Sequence, residues 1–166
     1  IGLRDTLEQA RNHPHYKTPL GESQGRGVAC GFWFNAGMQS SAIVSVNTDG
    51  SAVVRTGNPD IGGSRVSLAM MAAEELGIPV ERVRPVVGDT ESVGYTDLTG
   101  GSRVTFATGM AVIEAAQDAV QQLRERAAKI WGVDAKDVKW EDGIAHGCNG
   151  AADQDPMPLK VLAPKL

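Results

Sequence analysis

Apolar and polar positions alternate along this chain in short, well-punctuated blocks. Leu3, Leu7 and Ala10 recur at helical spacing, which predicts a short amphipathic helix from Leu3 to Arg11. Pro14 ends it, because the proline ring disfavours helical geometry at the residue before it. Lys17 to Gly27 is turn-rich and reads as a surface connection. Val28 to Phe34 is apolar and aromatic, and Ser41 to Val46 alternates, so both predict strands. Asn47-Thr48-Asp49-Gly50 carries the Asp-Gly turn signal, and Ser51 to Thr56 completes a hairpin. From Ser64 to Leu76 the period becomes helical, with Val66, Ala69, Met70, Ala73 and Leu76 as the expected buried stripe. Gly77 is the expected C-cap. Val83 to Val87 follows as a strand and closes a β-α-β unit, right-handed if the strands are parallel.

Gly88 to Gly101 has little core character, and loops of that length in compact domains are often functional. Ser102 opens the longest helix, reaching about Trp131. Its expected stripe is Val112, Ala116, Ala119, Val120, Leu123, Ala127 and Ile130. Val138 to Trp140 and Ile144 to His146 read as short strands around Asp142-Gly143. The predicted fold class is α+β, or α/β: a mixed sheet with a hairpin, a β-α-β unit and a long helix packed on it. Residues 1–26 are expected to form a helix and connection, 27–147 part of one domain, and 148–166 a polar, mobile tail. The chain opens on Ile1 and closes on Leu159, Val161, Leu162 and Leu166, apolar positions with no evident partner. The expectation is a piece trimmed from a longer parent.

Composition narrows the function without naming it. With 166 residues, 22% charged and 42% apolar, the chain can bury a real core and is ordinary globular material. The net charge of −4 and the lack of clustered Lys and Arg argue against nucleic acid as a partner. No apolar run is long enough to span a membrane. Cys30 and Cys148 stand in no metal or redox spacing, so a reducing cytoplasm is the default expectation, with Cys30 as a small buried hydrophobe. His13, His15 and His146 are not expected to form a metal site.

One internal identity carries chemistry. Gly62-Gly63-Ser64-Arg65-Val66 recurs as Gly100-Gly101-Ser102-Arg103-Val104. Each copy closes a loop and opens a predicted helix. The first N–H groups of a helix lack internal partners, and the helix dipole is positive there. Glycines admit a ligand to the backbone, Ser64 and Ser102 can cap the helix or bond a ligand oxygen, and Arg65 and Arg103 offer donor forks suited to phosphate. Two such ends facing one cleft would hold a phosphate-bearing ligand. The competing reading is a well-formed helix start with solvated arginines and no ligand. Neither a Walker loop nor a G-x-G-x-x-G fingerprint is present.

The segments Val46-Asn47-Thr48-Asp49-Gly50-Ser51, Thr56-Gly57-Asn58-Pro59-Asp60-Ile61-Gly62-Gly63, "GIPVERVRPVVGDT" and "GGSRVTFATGMAV", in that order, resemble the large molybdopterin-binding subunit of the xanthine dehydrogenase and aldehyde oxidase family. The resemblance runs from about His13 to Gly147. It implies the first half of the second cofactor-binding domain of a molybdenum hydroxylase. Such enzymes take oxygen from water and pass two electrons to iron–sulfur clusters, then often to FAD, carried on other subunits or domains. It further implies that Gly101, Ser102, Arg103, Val104 and Thr105 belong to a loop binding pterin and phosphate. Gly62 and Gly63 fall where the family reads Gly-Gln-Gly. This chain has Gly63 and Ser64 in place of Gln and Gly, which leaves backbone contacts from Gly62 to Arg65. Phe32 and Phe34, with Trp33 between them, fall where the family places aromatics near substrate; the other reading makes them core aromatics. The family's catalytic base, a late glutamate, lies beyond Leu166, so Glu74, Glu75 and Glu91 are not assigned that role, and this piece alone is expected to turn nothing over. The implied partners are an iron–sulfur subunit or domain, a flavin subunit and a small-molecule substrate, an aldehyde or aromatic heterocycle. The rival reading is a non-enzymatic phosphate-binding or structural module.

Overall fold

The structure, a computed structural model, describes residues 2–166. The chain divides into two units, Ile1–Trp33 and Phe34–Leu166.

In the first unit, α1 (Gly2–Asn12) ends ahead of Pro14 as the sequence predicts, Pro14 opens a short second helix, α2 (Pro14–Lys17), and neither buries a residue. The His13 ring nitrogen Nδ1 accepts the His15 N–H and starts α2. Val28 to Phe34 joins neither sheet, against expectation. Apolar and aromatic composition alone does not make a strand, because strand preference depends on packing context. Cys30 is exposed rather than buried.

The second unit is built around the predicted hairpin and crossover. β1 (Ala42–Val46) pairs antiparallel with β2 (Ala52–Thr56), with Val46 opposite Ala52 across the Asp49-Gly50 turn. α3 (Ser64–Leu76) follows, and β3 (Val83–Val87) returns parallel to β2, giving the order β1-β2-β3. Gly77 caps α3 in a left-handed conformation, its N–H reaching the carbonyls of Ala73 and Glu74. The face α3 buries is Leu68, Ala69, Ala72, Ala73 and Leu76, while Val66 and Met70 point to solvent. Small residues displace the larger ones because α3 lies close against the next helix: a Cβ at Gly109 would stand 2.7 Å from Met71 Sδ.

That helix begins with a π-helical turn, Val104–Thr108, and continues as α4 (Gly109–Trp131). Val112, Ala116, Leu123 and Ala127 are buried as expected, whereas Ile130 is exposed. A second sheet, β4 (Val138–Glu141), β5 (Ile144–Gly147) and β6 (Met157–Pro158), is antiparallel throughout. The Trp140 Nε1–H donates to the Leu76 carbonyl at 3.1 Å and joins this sheet to the end of α3.

The closing residues are ordered rather than a mobile tail. β6 extends the second sheet, and α5 (Leu159–Leu162) seats Leu159 and Leu162 in the same core as Leu76, Val112 and Leu123. Each fully buried leucine contributes roughly 1.5–3 kcal/mol, which is ample reason for the segment to dock. The α+β class stands, with two small sheets rather than one. Among the described residues, no helix is long and apolar enough to cross a membrane.

Candidate functional site

The second pentapeptide copy lies at the end of the Gly88–Gly101 loop. Gly101 (φ 63) and Ser102 (φ 56) are both left-handed, and Arg103 turns back to right-handed geometry before the π turn. Successive turns of this kind aim backbone N–H groups into one concavity, the geometry of an anion nest. No side chain caps the helix start. A pocket of ≈ 310 Å³ opens between Ile61 and residues of the Thr99–Thr105 run. Thr99, Ser102, Arg103 and Thr105 line it beside apolar Ile61 and Val104, and no Asp or Glu does. This donor set fits a phosphate-bearing ligand with a flat apolar part.

The loop is held from outside. The Gly101 carbonyl accepts the Ala36 N–H at 3.0 Å, and the Ser102 carbonyl accepts Asn35 Nδ2 at 2.9 Å. A Cβ at Gly101 would stand 2.7 Å from the Ala36 Cβ, so glycine is required there by packing as well as by φ.

The first copy is closed by its own approach. Gly62 (φ 59) and Gly63 (φ 80) are left-handed, and α3 begins at Ser64. The Asp60 carboxylate accepts the Arg65 backbone N–H at 3.0 Å and the Arg65 Nε–H at 2.8 Å, with the Ser64 hydroxyl at 3.4 Å. The Ser64 Oγ in turn accepts the Ile61 N–H. Val66 N–H bonds the Gly63 carbonyl. A carboxylate of the protein therefore sits where an external anion would. The Arg65 bonds hold the Asp60 carboxyl below its ordinary pKa of 3.8.

Both arginines do something other than present a donor fork to phosphate. Arg65 is committed to Asp60. Arg103 is fully buried, and all five of its N–H donors are used inside the protein. Nε donates to the Gly37 carbonyl, Nη1 to the carbonyls of Asp97 and Leu98, and Nη2 to the Gln39 carbonyl and the Ser40 hydroxyl. The reading of its side chain as a ligand donor is thereby corrected. Phe34 Cε2 lies 3.6 Å from where a Gly101 Cβ would stand, which brings this aromatic beside the second loop. Phe32 lies in the N-terminal unit and is 95% exposed, so it is no core aromatic.

Sequence reasoning assigned no role to Asn58, Thr108 or Ser40, and read Asp97 with Asp89 and Glu91 as part of an acidic loop open to solvent or to a cation. The Thr108 hydroxyl donates to Asn58 Oδ1 and lies 3.0 Å from the Ser40 Oγ. Asp97 Oδ2 accepts the Gln39 N–H and Oδ1 accepts the Tyr95 hydroxyl, bonds that lower the Asp97 pKa and raise that of Tyr95. Except for Tyr95, two positions from Asp97, their partners lie some 50 to 70 positions away along the chain, and no local spacing announces them. A larger concavity of ≈ 490 Å³ runs along Leu3, Leu7 and Arg11, but these lie on one helix and enclose nothing.

The profile of the molybdopterin cofactor-binding domain family matches residues 4–161. The molybdenum-binding subunit PaoC of aldehyde oxidoreductase from Escherichia coli O157:H7 is 35% identical over 132 residues, which is 76% of this chain and 17% of that subunit. Among solved structures, the Cu,Mo-CO dehydrogenase in its carbon monoxide reduced state aligns at a TM-score of 0.69 with 29% identity, over 76% of this chain and 16% of that one. Quinoline 2-oxidoreductase from Pseudomonas putida 86 aligns at 0.64 with 26% identity, over 75% of this chain and 16% of that one. The chain thus spans less than a fifth of the length of the relatives it matches.

Proposed function

The chain belongs to the molybdopterin cofactor-binding domain family, and from that we propose that it is part of a molybdenum hydroxylase whose cofactor is held at the second pentapeptide loop. The observation that carries this reading is the uncapped helix start behind Gly101 and Ser102, opening on a pocket without carboxylates. The backbone of Gly101 to Thr105, with the hydroxyls of Ser102 and Thr105, would bind the pterin and its phosphate. Gly62 and Gly63 directly follow Ile61, which lines the same pocket, while Ser64 and Arg65 bond the Asp60 carboxylate. Phe34 stands beside the loop as a candidate substrate contact, with Phe32 two positions earlier in the chain.

Bound there, the cofactor supplies a metal centre for two-electron oxidation. The reaction of the parent takes a C–H bond to C–OH with oxygen from water, releasing two protons and two electrons. The electrons pass to iron–sulfur clusters and onward to FAD on other subunits or domains. An aldehyde and an aromatic heterocycle are the two substrate classes, in keeping with the aldehyde oxidoreductase and quinoline oxidoreductase it resembles. A cytoplasmic location is part of the same proposal.

The test is metal and pterin analysis of the full-length protein, purified with its partners. Stoichiometric molybdenum and pterin, lost in Gly101→Ala, are the expected result. A full-length protein that binds inorganic phosphate but carries neither molybdenum nor pterin would establish the non-enzymatic module instead.

A further inference from the structure

The buried polar residues behind the second loop form one directed circuit. Arg103 Nη2 donates to the Ser40 Oγ at 2.6 Å. A hydroxyl carries a single hydrogen. The Thr108 hydrogen is used on Asn58 Oδ1, so the 3.0 Å contact between Ser40 and Thr108 has Ser40 as donor. Asn58 Nδ2 then reaches the Thr99 Oγ1, a long bond at 3.5 Å. The order is Arg103 to Ser40 to Thr108 to Asn58 to Thr99. It begins on one side of Gly100, Gly101 and Ser102 and ends on the other.

Three features mark this circuit as more than core filling. Arg103, Thr108 and Asn58 are each at most 3% exposed, yet every buried side-chain polar atom among the described residues has a partner. Bonds aligned head to tail in a low-dielectric interior polarise and strengthen one another. The circuit also spans the π turn Val104–Thr108, and such turns are frequent at functional sites. Finally, it links two loops: Asn58 stands in the approach to the first pentapeptide, Thr99 directly precedes the second, and Arg103 belongs to it.

We propose that Asn58, Thr108, Ser40 and Arg103 are positioning residues that hold the Gly101–Ser102 turn in its left-handed, ligand-ready conformation. None of their side chains need touch the ligand. The Ser102 backbone, left-handed without being glycine, is strained, and the circuit is what keeps it so. This inference rests on the cofactor reading above and goes past it by assigning a role to side chains whose hydrogen bonds are made inside the protein.

The experiment compares Thr108→Val and Thr108→Ser in the full-length protein with its partners. Valine keeps the shape and removes the hydroxyl, leaving Asn58 Oδ1 and the Ser40 hydroxyl without their partner; serine keeps the bonds. Release of molybdenum and pterin on dilution should be about tenfold faster in Thr108→Val, with the resonance spectrum of the bound molybdenum altered, while Thr108→Ser stays within about twofold of the parent. A purely structural threonine would lower the unfolding midpoint yet leave release from the folded fraction unchanged, and that result overturns the proposal. Equal behaviour of the two variants also overturns it. If the full-length protein carries no molybdenum, the cofactor reading fails, and amide exchange over residues 100–105 decides the circuit: faster exchange in Thr108→Val alone supports it, and unchanged exchange overturns it. Arg103→Lys, with three donors for five, repeats the test from the other end of the circuit.

Discussion

The same five residues stand at two helix starts and adopt two conformations. At Gly62 to Val66 the left-handed pair is Gly62-Gly63, and the helix starts at the serine. At Gly100 to Val104 the pair has moved one residue on, to Gly101-Ser102, and the helix starts at the valine. The first arginine is exposed and ion-paired; the second is buried among backbone carbonyls. The difference comes from the neighbours. Two residues before the first copy stands Asp60, whose carboxylate fills the helix start. The matching position before the second copy is Leu98, and nothing fills it. A pentapeptide at a helix start is thus permissive, and its surroundings decide whether it is closed or open.

The comparison breaks most visibly at the arginines. Arg103→Ala empties a fully buried position and removes five hydrogen bonds, each worth about 1 kcal/mol or more when the donor is charged, so chemical denaturation should show a loss of about 3 kcal/mol or more. Arg65→Ala removes an exposed ion pair and should cost less than about 1 kcal/mol in the same measurement. The glycines come next. Gly63→Ala meets open space and only the left-handed penalty of about 1–2 kcal/mol. Gly101→Ala carries that penalty and a 2.7 Å contact with Ala36 besides, so its unfolding midpoint should fall further.

Leu98→Asp offers the second copy the carboxylate that closes the first. Leu98 is exposed, so stability should change by no more than about 0.5 kcal/mol, while retention of molybdenum and pterin by the full-length protein should fall. The smallest effect is in acid. Asp60 has a depressed folded pKa, so its contribution is complete above the ordinary value of 3.8 and is lost as pH falls through the lower, folded one. Thermal midpoints should therefore drop below pH 3.8 in the parent and drop less in Asp60→Asn.

What the sequence disclosed follows the range of the interactions. The β1–β2 hairpin and α3 were legible because their signals are local: Asp49-Gly50 for the turn, Gly77 for the cap. The π turn was not, because it answers to Arg103, whose acceptors at Gly37, Gln39 and Ser40 lie more than 60 positions away. Backbone carbonyls carry no mark in a sequence. Leu159 and Leu162 were visible as apolar residues seeking a partner, but the partner, a core reaching from α3 to β5, is assembled from distant segments. Val28 to Phe34 misled for the mirror-image reason: its composition suits a strand, and composition alone does not form one. The family resemblance rested on the order of loop motifs, which survives even where a motif residue, the glutamine expected at Gly63, has changed.

The account turns on one loop being open to ligand and its twin being closed. Amide hydrogen exchange of the full-length protein, with and without its molybdenum–pterin cofactor, reads both at once. The prediction is that loading protects the amides of residues 101–105 and leaves those of residues 64–66 as they were. Protection at residues 64–66, or no change at residues 101–105, would contradict it.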